Sequence, residues 1–396
     1  MPDFDVEAFI ENQVDAVRRA LGRDKALVAV SGGVDSSVSA ILTHRAIGDS
    51  LVCVFVDDNF MRLGEGEQVK AMLGGEPVNL PVRILNERKR FMEALRGLSD
   101  AEEKRKAFRR TFYETLGDVA KAEGVKYLVQ GTIKADIDET AAGIKTQHNI
   151  LEQMGINPVE RFGFKVIEPV KSLYKYQVRE VARALGASPE LSERQPFPGP
   201  GLSIRVVGEI TPEKLEELKK ATLIVEQSFK PHGPSQYFCA VFNGQSPKRV
   251  KAIETAAAEV TRLDPKQIRA GLLNEKATGM VDGKRTYGSV VTLALRDSGG
   301  EAVEPSYDDL TGVLTRLKDR HPDATRLLVL VDERPGDGYV VSMRAVKTRD
   351  FLTADSVRLP WATLRGAAAK ILDSCVGVTR VYYDVTPKPP ATIEYE

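Results

Sequence analysis

Net charge is missing from this sequence: 56 lysines and arginines are matched by 56 aspartates and glutamates. Chains that live on nucleic-acid or membrane surfaces carry an excess of positive charge, so no general polyanion-binding role follows from composition. A local basic patch stays open. Cysteine is scarce as well. Cys53, Cys239 and Cys375 stand alone, without CxxC or Cys/His spacing. That excludes a disulfide scaffold and a structural zinc site, and it fits a reducing compartment. With only four histidines, no Ser/His or Cys/His nucleophile pair stands out, so covalent catalysis has no candidate. No apolar run approaches the ~20 residues that cross a bilayer. The opening MPDFDVEAF has no basic leader and no apolar signal core. A cytoplasmic protein without membrane or nucleic-acid partners is the expectation.

What is present is a strongly patterned chain. Its 396 residues are 42% hydrophobic and 28% charged, as in a soluble globular protein, and are too many for one ordinary core. Val6, Phe9, Ile10, Val14, Val17 and Leu21 recur at helical spacing. Next comes the continuous apolar run 26–30, then a helical stretch from Val38 to Ala46. Leu51–Val56 and Tyr127–Val129 are further apolar runs of strand length. Such runs are what buried parallel strands look like. Strands alternating with helices predict a doubly wound, mostly parallel α/β sheet.

The segment ERQPFPGPG (193–201) cannot continue a helix and reads as a hinge. It divides the chain into a domain over 1–195 and a second over 196–396. Within the second, YGSVVTLALRD (287–297) matches YVVSMRAVKTRD (339–350), and TRLLVLVD (325–332) matches TRVYYD (379–384). A helical segment lies between each pair, around 310–317 and 364–372. Two β-α-β units, about 280–332 and 336–390, are therefore expected in an α+β domain.

Ser31-Gly32-Gly33-Val34-Asp35-Ser36-Ser37 follows the first buried strand and opens a helix. Glycines there let backbone approach a phosphate, and a helix N-terminus offers free N–H groups and a positive dipole end. Ser31, Ser36 and Ser37 add hydroxyls. Asp35 beside phosphate implies an intervening cation, Mg²⁺. The loop is neither GxGxxG nor GxxxxGK[ST]. It resembles the SGGxDS loop of the PP-loop ATP pyrophosphatases, which implies ATP as substrate and pyrophosphate as leaving group. Phe55 and Val56 end the second strand and are expected to flank adenine. Asp57 and Asp58 behind them are either ligands or a polar strand end. Gly131 and Thr132 close the third apolar run on the same sheet edge. Asp136 and Glu139 just beyond either hold a second Mg²⁺ or cap a helix. The basic run 104–110 reads as a solvated helix surface or as a mobile lid over phosphates, with Lys106 the candidate for charge neutralisation.

Further segments make the resemblance specific. FVDD (55–58), EKRK (103–106), QGTI (130–133), IKTQHN (144–149), IEPVKSLYKYQVRE (167–180), PFPGPGLSIRV (196–206), RAVKTRDFLTAD (344–355) and YDVTPKPPATIEYE (383–396) together resemble the GMP synthetases, in their ATP-pyrophosphatase and dimerisation parts. The resemblance implies adenylation of xanthosine monophosphate (XMP) at O2 by ATP, then displacement of AMP by ammonia. Carried over residue by residue, it implies ATP contacts from 31–37, a catalytic part for Asp35, Ser36 and Lys106, and Mg²⁺ at Asp35 and Asp136. It also implies XMP contacts from Lys388 and Glu394, then Asp282 and Gln236, and Lys134.

No cysteine sits in a glutaminase-like GxCxG setting, so ammonia is expected from solution or from a separate glutamine amidotransferase subunit. A homodimer is implied, with a monomer of paired internal repeats as the alternative. Departures from the family pattern are Gln147 and Gln195 in place of histidines, QGTIKAD without its proline, and Arg109 where a glycine is expected. Other PP-loop reactions, tRNA thiolation or NAD synthesis, and a non-catalytic nucleotide-binding paralogue remain as competing readings.

Overall fold

A computed structural model describes residues 4–141, 158–281, 283–348 and 352–396. The chain divides into two compact units. The first is Met1–Ala94 with Lys106–Gly199; the second is Leu95–Arg105 with Pro200–Glu396. The short stretch 95–105 thus joins the second unit, which a single boundary near residue 195 does not provide for.

In the first unit, helix α1 (Val6–Leu21) starts where the Asp5 carboxylate accepts from the Ala8 N–H at 3.0 Å, an N-terminal cap. Its apolar stripe buries Ile10, Val17 and Leu21. The elements that follow are β1 (Ala26–Ala29), α2 (Val34–Ile47), β2 (Leu51–Asp57), α3 (Glu65–Gly74), β3 (Arg83–Asn86), α4 (Arg88–Leu95) and α5 (Ala101–Glu123). Then come β4 (Tyr127–Val129), α6 (Lys134–Ala141), α7 (Pro158–Phe162), β5 (Lys165–Ile167), α8 (Lys175–Ala184) and α9 (Pro189–Ser192). All described pairings are parallel, in the order β3-β2-β1-β4-β5. The expected doubly wound parallel sheet is present.

Its core joins Val28 of β1 and Cys53 of β2 to Val38 and Leu42 of α2 and Val178 and Val181 of α8. Each such side chain contributes roughly 1.5–3 kcal/mol when fully buried. The strand order places the site. From β1 the chain moves outward through β2 and β3, then returns to β4 on the other side of β1. The carboxyl ends of β1 and β4 are therefore neighbours at a reversal of strand order, where open α/β sheets leave a crevice.

The second unit contains α10 (Pro212–Phe229), β6 (Gln236–Phe242), β7 (Lys248–Arg249), α11 (Lys251–Thr261), β8 (Ile268–Val281) and β9 (Lys284–Leu295). After these come α12 (Tyr307–Arg320), β10 (Ala324–Glu333), β11 (Tyr339–Lys347), β12 (Asp355–Ser356), α13 (Trp361–Ser374) and β13 (Val378–Asp384). Strand β9 pairs parallel with β10 across α12, and β11 pairs parallel with β13 across α13. These are the two β-α-β units read from the repeat. They meet where β10 and β13 pair antiparallel, in a sheet ordered β12-β11-β13-β10-β9-β8-β7, with β6 on β11. Residues 385–396 leave β13 without forming a helix or a strand.

Candidate functional site

The phosphate-type loop runs from the end of β1 into α2, and its conformation is set by what cannot fit. Gly32 has φ +75°, and a Cβ there would lie 2.6 Å from Val69 Cγ2 and 2.7 Å from Arg194 Nη1. A side chain at Gly131, after β4, would sit 2.6 Å from the Ser36 nitrogen and 2.7 Å from the Asp35 carbonyl carbon. The two glycines thus let the β4 end press its backbone on the first turn of α2. Ser36 Oγ accepts from the Ser31 N–H at 3.2 Å and donates to the Gly33 carbonyl at 3.1 Å. Ser37 Oγ donates to the same carbonyl at 2.9 Å. Val34 is buried in the core of the unit.

Asp35 stands at the helix start with Lys175 Nζ 2.5 Å from its Oδ2. Its Oδ1 is buried without a hydrogen-bond partner. Thr132, fully buried, also has an unpartnered hydroxyl. Behind the loop, Glu65 of α3 is 1% exposed and is held by Arg194 Nη2 at 2.6 Å, with Arg62 Nη1 3.7 Å away. Arg194 Nη1 also reaches the Gly32 carbonyl at 3.3 Å. Lys175, Arg194 and Glu65 were not singled out from the sequence. Lys175 lies inside the IEPVKSLYKYQVRE segment and Arg194 inside the proline-rich hinge, but neither pairing leaves a local signal.

Several expected residues have other tasks. The Phe55 ring is 1% exposed and packs in the core against the backbone of Gly66. It forms a floor beneath the strand end, and Val56 is buried beside it. Asp57 accepts from Arg88 Nε at 2.8 Å, and Asp58 from the Phe60 N–H at 2.7 Å, which is the polar strand end. Asp136 Oδ2 accepts from the Ile133 N–H at 3.0 Å, reaching back as a cap on α6. Lys134 pairs with Asp138 at 3.6 Å and lies 5.9 Å from the Tyr174 ring centroid. Asp282 and Gln147 lie outside the described residues, as does the side chain of Glu139.

The basic run 104–110 is helical, and it is not a uniformly solvated surface. It is part of the continuous helix α5. Lys106 is exposed, and among the described residues no hydrogen bond or ion pair joins it to the phosphate-type loop. Lys104 is fully buried in the second unit, donating to the carbonyls of Val206 at 2.8 Å and Gly208 at 2.9 Å and paired with Glu396. Burial pulls its ammonium below the ordinary lysine range, against the attraction of Glu396.

In the second unit, Gln236 and Glu394 are brought together, Nε2 to Oε1 at 3.1 Å. Glu394 is also gripped by Arg205, Nε to Oε2 at 2.9 Å and Nη2 to Oε1 at 2.8 Å. A carboxylate offers about four acceptor directions. Three are taken, two on Oε1 and one on Oε2. Lys388 is half-buried and anchored through its backbone, with its N–H on the Ala354 carbonyl at 2.7 Å. Arg205, stacked on the Phe238 ring at 4.0 Å, is a further partner that sequence did not reveal.

Comparison with known proteins fits both halves. The family model described as GMP synthase C terminal domain matches residues 322–395. A protein of Saccharolobus solfataricus, named as one of the subunits of a glutamine-hydrolyzing GMP synthase, is 42% identical, over 99% of this chain and 100% of its own. Proteins of the same name from Sulfurisphaera tokodaii and Methanopyrus kandleri are each 39% identical over the same shares. Among solved structures, NMN synthetase from Francisella tularensis aligns at 15% identity and a TM-score of 0.39, covering 51% of this chain and 79% of that one. No helix among the described residues is long and apolar enough to cross a membrane. By identity sustained over the full length of these relatives, the chain belongs with them to the family of GMP synthase subunits.

Proposed function

We propose that this chain makes GMP from XMP, ATP and ammonia, releasing AMP and pyrophosphate. One observation carries the ATP half: the Gly131 backbone seated on the first turn of α2, beside a loop whose N–H groups and hydroxyls are already oriented. Such a cradle suits the β- and γ-phosphates, which depart together. Bond by bond, XMP O2 attacks the α-phosphorus and the bond to the β-phosphate oxygen breaks. Ammonia then adds at C2, and AMP leaves with the oxygen. The chain supplies position and charge, not a covalent nucleophile.

The residues present fit Mg²⁺. Asp35 Oδ1 is buried and unpartnered, which leaves one hard carboxylate oxygen beside the loop. That donor set suits an ion completing its shell with phosphate oxygens and water. Bound at Asp35, Mg²⁺ would neutralise charge on the departing pyrophosphate. Lys175 adds a fixed cation at the same carboxylate. For XMP, Lys388 is assigned to the phosphate, and Glu394 to a ribose hydroxyl or base N–H. Gln236 orients that carboxylate.

A separate glutamine amidotransferase subunit as ammonia source is supported by the naming of the relatives as subunits of a glutamine-hydrolyzing enzyme. Dimerisation through the second unit and a cytoplasmic location belong to the same reading. The test is an assay with ATP, Mg²⁺, XMP and ammonium that follows pyrophosphate and GMP. Asp35→Asn is expected to lower turnover at least ~10²-fold, the scale of losing one electrostatic contact at the reacting groups. Pyrophosphate release that ignores XMP would refute the reading. Glutamine in place of ammonium is expected to give no GMP until a glutaminase subunit is added.

A further inference from the structure

The segment 385–396 carries Lys388 and Glu394 yet has almost no ladder of its own. Buried backbone carbonyls need partners, and here two guanidiniums supply them. Arg344, on β11, donates from Nε to the Ile393 carbonyl at 3.0 Å, from Nη1 to that of Thr386 at 3.0 Å, and from Nη2 to that of Thr392 at 3.1 Å. Arg326, on β10, donates from Nη2 to Thr392 Oγ1 at 3.1 Å and to the Glu394 carbonyl. Its guanidinium lies 4.2 Å from the Tyr395 ring centroid.

Both arginines converge on Asp384, at the end of β13 between them, at 2.9 and 2.7 Å. All three side chains are fully buried. Asp384 also accepts from the Tyr395 hydroxyl at 2.8 Å, and that hydroxyl lies 2.7 Å from Ser342 Oγ. A charged triad in a core is a poor source of stability, since well-packed apolar residues commonly serve as well or better. What the contacts show is that it ties the backbone of 386–394 to β10 and β11.

We propose that Arg326 and Arg344 are positioning residues for XMP: they fix the backbone of 386–394 in the arrangement that presents Lys388 and Glu394. This rests on the reading that those two residues bind XMP. Neither arginine touches the nucleotide. Their effect falls on XMP and spares ATP, because the ATP cradle is built on other elements.

The test measures steady-state pyrophosphate release by the full chain with ammonium, titrating XMP at saturating ATP and the reverse. Arg344→Lys keeps the charge facing Asp384 but loses the fan of carbonyl bonds. It is expected to raise the KM for XMP at least tenfold, with kcat and the KM for ATP within twofold. Arg326→Lys is expected to do the same. Tyr395→Phe removes one hydroxyl and leaves every charge paired, so it serves if the arginine variants do not fold; a threefold rise is expected. Glu394→Gln raises the KM for XMP by itself, and adding Arg344→Lys to a chain that carries both Lys388→Ala and Glu394→Gln is expected to give less than a further twofold rise, because the arginine acts through those two residues. Fully additive effects, or equal losses for ATP and XMP, would overturn the proposal. So would unchanged XMP kinetics in Arg344→Lys, Arg326→Lys and Tyr395→Phe while Glu394→Gln is impaired. If Glu394→Gln and Lys388→Ala both leave the KM for XMP unchanged, the XMP-binding reading fails first and takes the proposal with it.

Discussion

The loop after β1 and the segment after β13 are both irregular, and they are held in place by opposite means. The loop is fixed by exclusion: Gly32 and Gly131 leave no room for a Cβ, and short hydroxyls fold back on the Gly33 carbonyl. Its hydroxyl contacts are local, while Val69, Arg194 and the end of β4 crowd it from elsewhere in the unit. The tail is fixed by long charged side chains from elsewhere in the unit, Arg326 on β10, Arg344 on β11 and Arg205 in the turn before α10, reaching carbonyls and carboxylates. A phosphate is met by backbone N–H groups, so close backbone approach decides the first geometry. On the proposed reading the tail meets a nucleotide through the side chains of Lys388 and Glu394, so its backbone is free to be held by charge. The cost falls differently too. Errors in the loop are steric, and errors in the tail are uncompensated charge.

The largest expected effect is therefore in the second unit, at Asp384. Its carboxyl is pushed up by burial, but Arg344 and Arg326 outweigh that and hold it below its ordinary value of 3.8. Asp384→Asn leaves two buried guanidiniums without a counter-charge, expected to cost about 3–5 kcal/mol. The chain has one tryptophan, Trp361, on α13 of that unit. Its fluorescence during denaturant unfolding reads the loss directly. A change below about 1 kcal/mol, the scale of an ordinary hydrogen bond, would break the comparison by showing that the charges are dispensable.

Next is Gly131→Ala. The added methyl would press on the Asp35–Ser36 backbone from 2.6–2.9 Å, so something must shift, and a displacement of about 1 Å in a reacting group costs ~10²-fold in rate. Turnover is expected to fall by that factor while the Trp361 transition stays in place. If Gly131→Ala instead keeps its turnover, the contact between the β1 and β4 ends does not set the cradle.

The same contrast explains what is legible in the sequence alone. Apolar runs at 26–30, 51–56 and 127–129 announce β1, β2 and β4, and helical spacing announces α1 with its observed ends. The repeat announces two β-α-β units. The phosphate-type loop is legible because its glycines and hydroxyls fall within seven residues. The Gly32–Arg194 and Asp35–Lys175 contacts are not, since they join residues far apart in sequence. Lys104 is the clearest miss. In the string KRKAFRR it looks like its neighbours, but only the fold shows that Lys104 points inward to carbonyls while Lys106 faces solvent. Phe55 shows a related ambiguity, since an apolar residue at a strand end reads alike whether it lines a ligand or the core.

The smallest effect probes whether charge-based construction in the second unit carries a pH signature. Lys214, on α10, is fully buried, with Nζ on the Val207 carbonyl at 2.5 Å and Asn243 Oδ1 at 3.1 Å. Burial lowers its ammonium from 10.5 to about 8; Lys104 adds to that, and Glu275, Glu396 and Glu209 oppose it. Between these values the unfolded chain binds more protons than the folded one, so stability rises with pH. The contribution is full above 10.5 and is lost as pH falls through about 8. Near pH 9 the slope is roughly 1 kcal/mol per pH unit, from 1.36 kcal/mol per proton and pH unit. Lys214→Met removes that slope, so wild type should gain about 1 kcal/mol more than the variant between pH 8.5 and 9.5, read again through Trp361. Equal gains would mean that Lys214 keeps an ordinary ammonium in the fold, with its carbonyl partners offsetting the cost of burial in full.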